Sequence, residues 1–175
     1  MLKSYPVPVL ETDRLILRGW RSEDFEPYVE MIQDPVVARY LVFRPQGRDQ
    51  AWSNMAMMIG HWAMRGYGFW ALERKRDGVL LGRAGLWNPE GWPGLEVGWA
   101  LRREYWGQGY ATEAALKALE YAFRSLQLTR VLSVIHCENA RSQRVAERIG
   151  AQKGPRQELN INGQRYTADI WATSC

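Results

Sequence analysis

The stretch Leu95–Phe123, LEVGWALRREYWGQGYATEAALKALEYAF, limits the folds open to this chain more than any other. Leu95, Val97, Trp99 and Leu101 alternate with Glu96, Gly98, Ala100 and Arg102, which predicts a strand over Leu95–Arg102. From Tyr110 the period lengthens, and Ala111, Ala115, Ala118, Leu119 and Ala122 make one apolar stripe at helical spacing. Glu113/Lys117 and Glu120/Arg124 are expected as i,i+4 ion pairs on its wet side. Gly107-Gln108-Gly109 joins strand to helix. The first N–H groups of a helix lack partners and sit at the positive end of its dipole. Glycines before them let the backbone close around phosphate oxygens. The alternative is a turn that needs glycine only for its dihedrals. Thr112 stands where G-x-G-x-x-G would have its third glycine, and no Gly-Lys-Ser/Thr follows, which counts against dinucleotide and Walker loops.

The next strand, Val131–Cys137 (VLSVIHC), is nearly all apolar, as suits a parallel strand covered on both faces. Strand, helix and strand at this spacing imply a right-handed parallel crossover. Before this unit come a strand over Thr12–Trp20, a helix from an Ser22 N-cap to about Gln33 that Asp34-Pro35 ends, a short segment Val36–Leu41 and a loop over Arg44–Asp49. A helix over Gln50–Arg65 follows, with Trp52, Met55, Ile59, Trp62 and Ala63 on one face and His61 off it. Strands Phe69–Arg74 and Val79–Leu86 are joined at Asp77-Gly78, a hairpin signal, and WNPEGWPG is a loop over Trp87–Gly94. Beyond Cys137, Glu138-Asn139-Ala140-Arg141-Ser142 opens a helix that ends at Gly150. Strands Gln157–Ile161 and Gln164–Ala172 flank Asn162-Gly163, a second hairpin signal.

A chain of 175 residues, 46% hydrophobic and 24% charged, suits one domain with one substantial core, spanning 1–175. Net charge is +4, with no run of five like charges. That steers a small polyanion, whereas nucleic acid would call for a basic arm or an RNA-binding motif. Cys137 and Cys175 make neither a disulfide framework nor a metal site, and no apolar leader precedes the first strand, so a reducing cytoplasm is expected. Gln50–Met64, the longest uncharged run, is too short and polar to span a bilayer. Neither a metal, nor nucleic acid, nor a membrane is expected as a partner.

Trp106-Gly-Gln-Gly-Tyr-Ala111 resembles the pyrophosphate loop of the GNAT superfamily of acyl-CoA-dependent N-acetyltransferases, Gln/Arg-x-x-Gly-x-Gly/Ala. Gly109 and Ala111 match its last two positions, and Trp106 departs from the first. Glu96-Val-Gly-Trp followed by Tyr105-Trp-Gly-Gln-Gly-Tyr-Ala-Thr-Glu-Ala114 is similar to the RimJ/RimL-type branch, as is the opening Leu10-x-Thr12-x-Arg14-Leu15 string. The resemblance implies an α/β (α+β) fold: a mixed, mostly antiparallel sheet of six to seven strands, with the fourth and fifth parallel, flanked by about four helices. It implies acetyl-CoA as co-substrate and, as acceptor, a protein or peptide N-terminus or a small amine. A homodimer is compatible with it. A non-catalytic acyl-CoA-binding module on the same fold is the alternative.

The resemblance also assigns roles. Gln108, Gly109, Tyr110, Ala111 and Thr112 would hold the pyrophosphate. Leu101, with Trp99 and Arg102, would pair with the pantetheine arm, and an N–H near Trp99 would face the acetyl oxygen. Asn139 matches the asparagine that bonds that arm, and Arg102, Arg103 and Arg144 are candidates for nucleotide phosphates. Glu96 resembles the family's general base, beside the room left by Gly98 and Ala100; the alternative is a glutamate paired with an arginine across the sheet. The tyrosine common on the helix after the asparagine is Ala146 here, and Ser142 matches the proton donor of the RimL-like branch or serves as a helix cap. Trp62 and Trp87 are candidate walls of the acceptor cleft, Trp62 alternatively core.

Overall fold

The computed structural model describes residues 6–42, 47–161 and 163–175. Its frame is one eight-stranded sheet in the order β1-β2-β3-β4-β5-β6-β8-β7. The strands are β1 (Leu10–Glu11), β2 (Leu15–Arg18), β3 (Phe69–Arg74), β4 (Leu80–Trp87), β5 (Glu96–Leu101), β6 (Arg130–His136), β7 (Gln152–Ile161) and β8 (Gln164–Ser174). All neighbours are antiparallel except β5 and β6. The helices are α1 (Phe25–Gln33), α2 (Pro35–Ala38), α3 (Arg48–Arg65), α4 (Tyr110–Arg124) and α5 (Ala140–Arg148). The eighth strand and the fifth helix are short additions, β1 in the proline-containing lead-in and α2 just after α1. Proline at the start of α2 loses no helical hydrogen bond, and the Asp34 carboxylate caps it by accepting from Val36 N at 2.8 Å.

β5 carries the division of the core. Val97 and Leu101 pack with Ala114, Ala115, Ala118, Leu119 and Ala122 of α4, whose small side chains let the helix lie close on the sheet. Ala100, on the other face, packs with Phe69, Trp87 and the residues of α1 to α3. The expected stripe on α3 turns slightly. Ala51, Met55, Met58 and Trp62 are the buried apolar positions, whereas Trp52 and Ile59 face solvent.

Three local expectations are corrected. Ser22 caps nothing; a 3₁₀ turn over Ser22–Asp24 precedes α1, and the Asp24 carboxylate takes the N–H of Arg21 at 2.8 Å and both ends of the buried Arg18 guanidinium. β7 starts five residues earlier than its hydropathy suggests. Gly154-Pro155 reads as a break, but at the sheet edge a proline costs no ladder bond, and the strand absorbs the pair as a shift in register between Lys153 and Arg156. β6 is buried deeply on one face only: Val131, Ser133 and Ile135 are buried, while Leu132, Val134 and His136 are half-buried, Leu132 and Val134 against Ile161, Tyr166, Ala168 and Ile170, and Val134 and His136 beside a cavity. Asp77-Gly78 does turn β3 into β4, with Gly78 at φ +70°. Of the second hairpin signal, Asn162 lies outside the described residues; β7 and β8 pair on either side of it. Arg44–Gln46 of the predicted loop also lies outside them. No helix of the described residues is long and apolar enough to cross a membrane.

Candidate active site

The sheet is incomplete at its middle. Every residue of β5 has a partner on β4, from Trp87↔Glu96 to Gly82↔Leu101. Toward β6 the ladder holds at one register, Glu96↔Leu132, with Leu132 N donating to Leu95 O at 2.9 Å. Ser133 Oγ then donates to Val97 O at 2.9 Å in place of a backbone bond. Beyond that point β6 follows β8 and β5 follows β4, so the parallel strands part. The carbonyls of Leu95 and Val97 face β6. By the period of two, so do the backbone groups of Trp99 and Leu101. Indole Nε1 of Trp106 closes on Leu101 O at 2.8 Å, which leaves the N–H and C=O of Trp99 turned into the gap. A cavity of about 900 Å³ opens there, lined by both strands, by the glycine loop and by the start of α5.

Glu96 stands where the strands part. It is 7% exposed, and its Oε2 accepts from Val134 N at 2.9 Å. Burial pushes its pKa up to about 8, against the pull of that N–H, of the Arg83 charge and of the nearby Trp92 indole. Trp92 Nε1 does not reach hydrogen-bond geometry with any group among the described residues. The Glu96 side chain shares its face with Gly98 and Ala100. A Cβ on Gly98 would stand 3.2 Å from the Phe69 ring, a tight contact, and 3.5 Å from Glu96 Oε1, an ordinary one. Trp87, the cross-strand partner of Glu96, stacks between Phe69 at 4.9 Å and His61 at 4.4 Å. His61 is buried. Its Nε2 accepts from Asn88 N at 3.2 Å and its Nδ1 lies 2.7 Å from Tyr67 O, as fits a neutral ring whose pKa burial lowers.

The glycine loop is held from outside. Gly107 and Gly109 take φ of +75° and +82°, which side chains disfavour, and Gly109 caps α4. Glu113 does not pair along the helix with Lys117. It binds Thr12 Oγ1 and Arg14 of the lead to β2, with Arg14 Nε donating to its Oε2 at 2.6 Å. Arg14 also donates to Gln108 O at 3.0 Å and lies over the Tyr110 ring. Lys117 turns to Glu120, which also receives Arg124 as expected. Arg14 and Glu113 are 99 positions apart, so helical spacing could not reveal the pair.

On the far wall, Asn139 Oδ1 accepts from Ser142 N at 3.2 Å and so caps α5. The cap is therefore Asn139, and Ser142 keeps its hydroxyl for the cavity that it lines. The cavity gathers Glu96, Trp99, Leu101, Gly109, Tyr110, Ala111, Thr112, Asn139, Ser142, Arg144 and Trp87 of the residues singled out in the sequence, together with Arg103. Arg102, Gln108 and Trp62 are not in its lining. Arg102 pairs with Glu30 and Glu104. The Gln108 side chain bends back to Glu104 O. Trp62 is core, donating to Phe69 O at 3.1 Å. Trp92 of the WNPEGWPG loop also lines the cavity, as do Arg83, Arg141 and Tyr40, which sequence reasoning missed. Only Arg83 gave a signal, as a lone charge inside the apolar run of β4. Among the described residues, no group of three His, Cys, Asp or Glu stands where it could hold a metal ion.

Comparison with known proteins matches residues 14–152 to the acetyltransferase (GNAT) domain. The chain is 29% identical over 169 residues to the uncharacterised N-acetyltransferase YoaA of Bacillus subtilis, covering 94% of this chain and 96% of that one. The crystal structure of an acetyltransferase from Agrobacterium tumefaciens superposes with a TM-score of 0.85 at 27% identity, over 97% of this chain and 95% of that one. A ribosomal-protein-S5-alanine acetyltransferase from Vibrio fischeri shares the fold, with a TM-score of 0.71 at 17% identity over 96% and 97% of the two chains.

Proposed function

The chain belongs to the GNAT acetyltransferases, and we propose that it moves an acetyl group from acetyl-CoA to a primary amine, either the N-terminal α-amino group of a protein or peptide or a small amine. The observation that carries this reading is a buried carboxyl, Glu96, set at the mouth of a gap in the sheet whose other end is a glycine-capped helix N-terminus. The residues present fit the co-substrate. Strands that part leave backbone groups of Trp99 unused for an extended amide chain to pair with, and the turns at Gly107 and Gly109 expose the first N–H groups of α4 to a pyrophosphate. Arg103, Arg141 and Arg144 supply positive charge on the cavity rim. The Vibrio fischeri protein of the same fold is named for an alanine of ribosomal protein S5, a protein acceptor.

Bound acetyl-CoA supplies the acetyl group as a thioester, and the amine nitrogen forms the new bond to the acetyl carbon as the carbon–sulfur bond breaks. The chain's own residues manage the charges. An alkyl amine is mostly protonated at neutral pH, with a model value of about 10.4 for lysine. Glu96, tuned up to about 8, is closer to that value than an ordinary carboxylate and takes the proton directly or through one water. The Trp99 N–H polarises a carbonyl placed in the gap. Ser142 Oγ gives its proton to the departing sulfur. A cytoplasmic setting suits the two unpaired cysteines.

Two experiments test the reading. Acetyl-CoA at about a hundred times its dissociation constant should stabilise the chain by roughly 2.7 kcal/mol in a thermal titration, with NAD as the inert control. Thiol release that depends on an added amine should follow. Absence of both removes the proposal. For Ser142→Ala we expect a loss of about tenfold in kcat. That is below the roughly hundredfold common for general acids, because a thiolate of model value near 8.5 is a fair leaving group. Stability should change by less than about 0.5 kcal/mol, since the cap belongs to Asn139. A Ser142→Ala variant with full kcat would hand the proton to water.

A further inference from the structure

Of three sheet arginines, Arg18 and Arg74 are buried and Arg83 is half-buried with a buried Nε, and among the described residues only Arg83 makes no ion pair. Arg18 is clasped by Asp24 and Glu73, and Arg74 by Asp77. Arg83 makes no ion pair among the described residues, and its Nε is buried with no hydrogen-bond partner. Its neighbours do not replace one. The guanidinium lies over the Phe69 ring, 4.2 Å from the centroid, and the Tyr28 hydroxyl beside it donates to Asn54 instead. Arginine stays protonated in proteins, so this is a standing charge in a sheltered place, which is expensive unless something pairs with it.

The position of Arg83 gives that charge a direction. It lines the same cavity as Glu96 and sits on the same face of the sheet. Arg83 is opposite Ala100, Gly85 is opposite Gly98, and Trp87 is opposite Glu96. Two glycines therefore floor the space between the cation and the carboxyl. Arg83 and Trp87 are four residues apart along β4, roughly 13 Å between Cα atoms, from which both long side chains must be subtracted. We propose that Arg83 is a specificity residue for the acceptor, pairing with a carboxylate carried several bonds from the amine that Glu96 receives. The inference rests on the amine-acetylation reading above and narrows it to acceptors that are both amine and acid. Such a substrate completes the only pairing that the fold leaves open for Arg83. A protonated amine without a carboxylate brings a second cation to it.

The test compares matched acceptors in the wild-type chain, Arg83→Gln and Arg83→Lys. One pair is 5-aminopentanoate against pentylamine. The other is a peptide beginning Ala-Asp against the same peptide beginning Ala-Asn. The wild-type ratio of kcat/KM should favour the carboxylate by at least about tenfold in one pair or both, fall towards one in Arg83→Gln and survive in part in Arg83→Lys. Preference within the first pair alone assigns small amino acids, and within the second alone peptide N-termini. Calorimetry with 5-acetamidopentanoate against N-pentylacetamide on the CoA-bound chain reads the same preference without turnover. A ratio near one in the wild type, or one unchanged in Arg83→Gln, overturns the inference while leaving acetyl transfer in place. So does a loss of acetyl-CoA affinity in Arg83→Gln with the acceptor ratio intact, which would give Arg83 to the donor. Failure of acetyl-CoA to stabilise the wild type, with no thiol released by any amine, would be the failure of the acetyltransferase reading itself.

Discussion

Glu96→Gln should lower kcat by about 10²–10⁴-fold while leaving acetyl-CoA affinity nearly unchanged. The amide keeps the oxygen that accepts from Val134 N, so the parting of β5 and β6 is preserved and only the proposed proton acceptor is lost. In the wild type, kcat/KM should rise with pH through about 8, where burial places the Glu96 carboxyl, because the ionised form is the working one. An acceptor whose amine is already neutral at pH 7 separates this limb from the titration of the substrate, and Glu96→Gln should lack it. Stability should move the opposite way. Between the ordinary value of 4.5 and about 8 the folded chain holds a proton that the unfolded chain has released, so stability is greatest below that window and falls as pH rises through it. Glu96→Gln should flatten that slope in denaturant melts and be the more stable protein at pH 8 to 9. A variant that loses CoA affinity in parallel with turnover would show that Glu96 holds the gap open and does no chemistry.

Gly109→Glu should weaken acetyl-CoA binding by at least about a hundredfold, read as loss of the thermal shift. The residue caps α4 at φ +82°, so any side chain there is strained, and a Cβ would already stand 3.4 Å from Arg14 Nη2. A carboxylate at the helix N-terminus would also occupy the ground proposed for phosphate oxygens. Gly109→Ala separates the two effects. It carries the strain without the charge and should lose much less affinity. Equal loss in both variants would make the dihedral, and through it the Arg14–Gln108 contact, the whole explanation. Unchanged binding in Gly109→Glu would move the pyrophosphate elsewhere.

The strand over Leu95–Arg102, the loop and the helix from Tyr110 are where the period placed them, and with them the parallel crossover to β6. Period reports which residues share a face. It does not report what covers that face. The α3 stripe turned for that reason, with Trp52 and Ile59 in solvent, and β6 proved fully buried on one side and half-buried on the other. Trp62 and Trp87 were both candidate cleft aromatics; both are buried in the core, and of the two only Trp87 also lines the cavity.

By itself the sequence determined the order of elements, the glycine loop at the head of α4, the small residues around Glu96 and the family that these define. All are local in the chain, where periodicity, turn chemistry and motif spacing act. The tertiary structure decided the rest, because each remaining feature joins positions far apart. β5 and β6 separate after a single register, so the cavity exists. Val134 N and the surrounding burial, not any neighbour in sequence, set the proton affinity of Glu96. Arg14 reaches across to Glu113 and steadies the loop. Arg83, one charge among many in the sequence, becomes exceptional only when folding gives carboxylates to Arg18 and Arg74 and none to it.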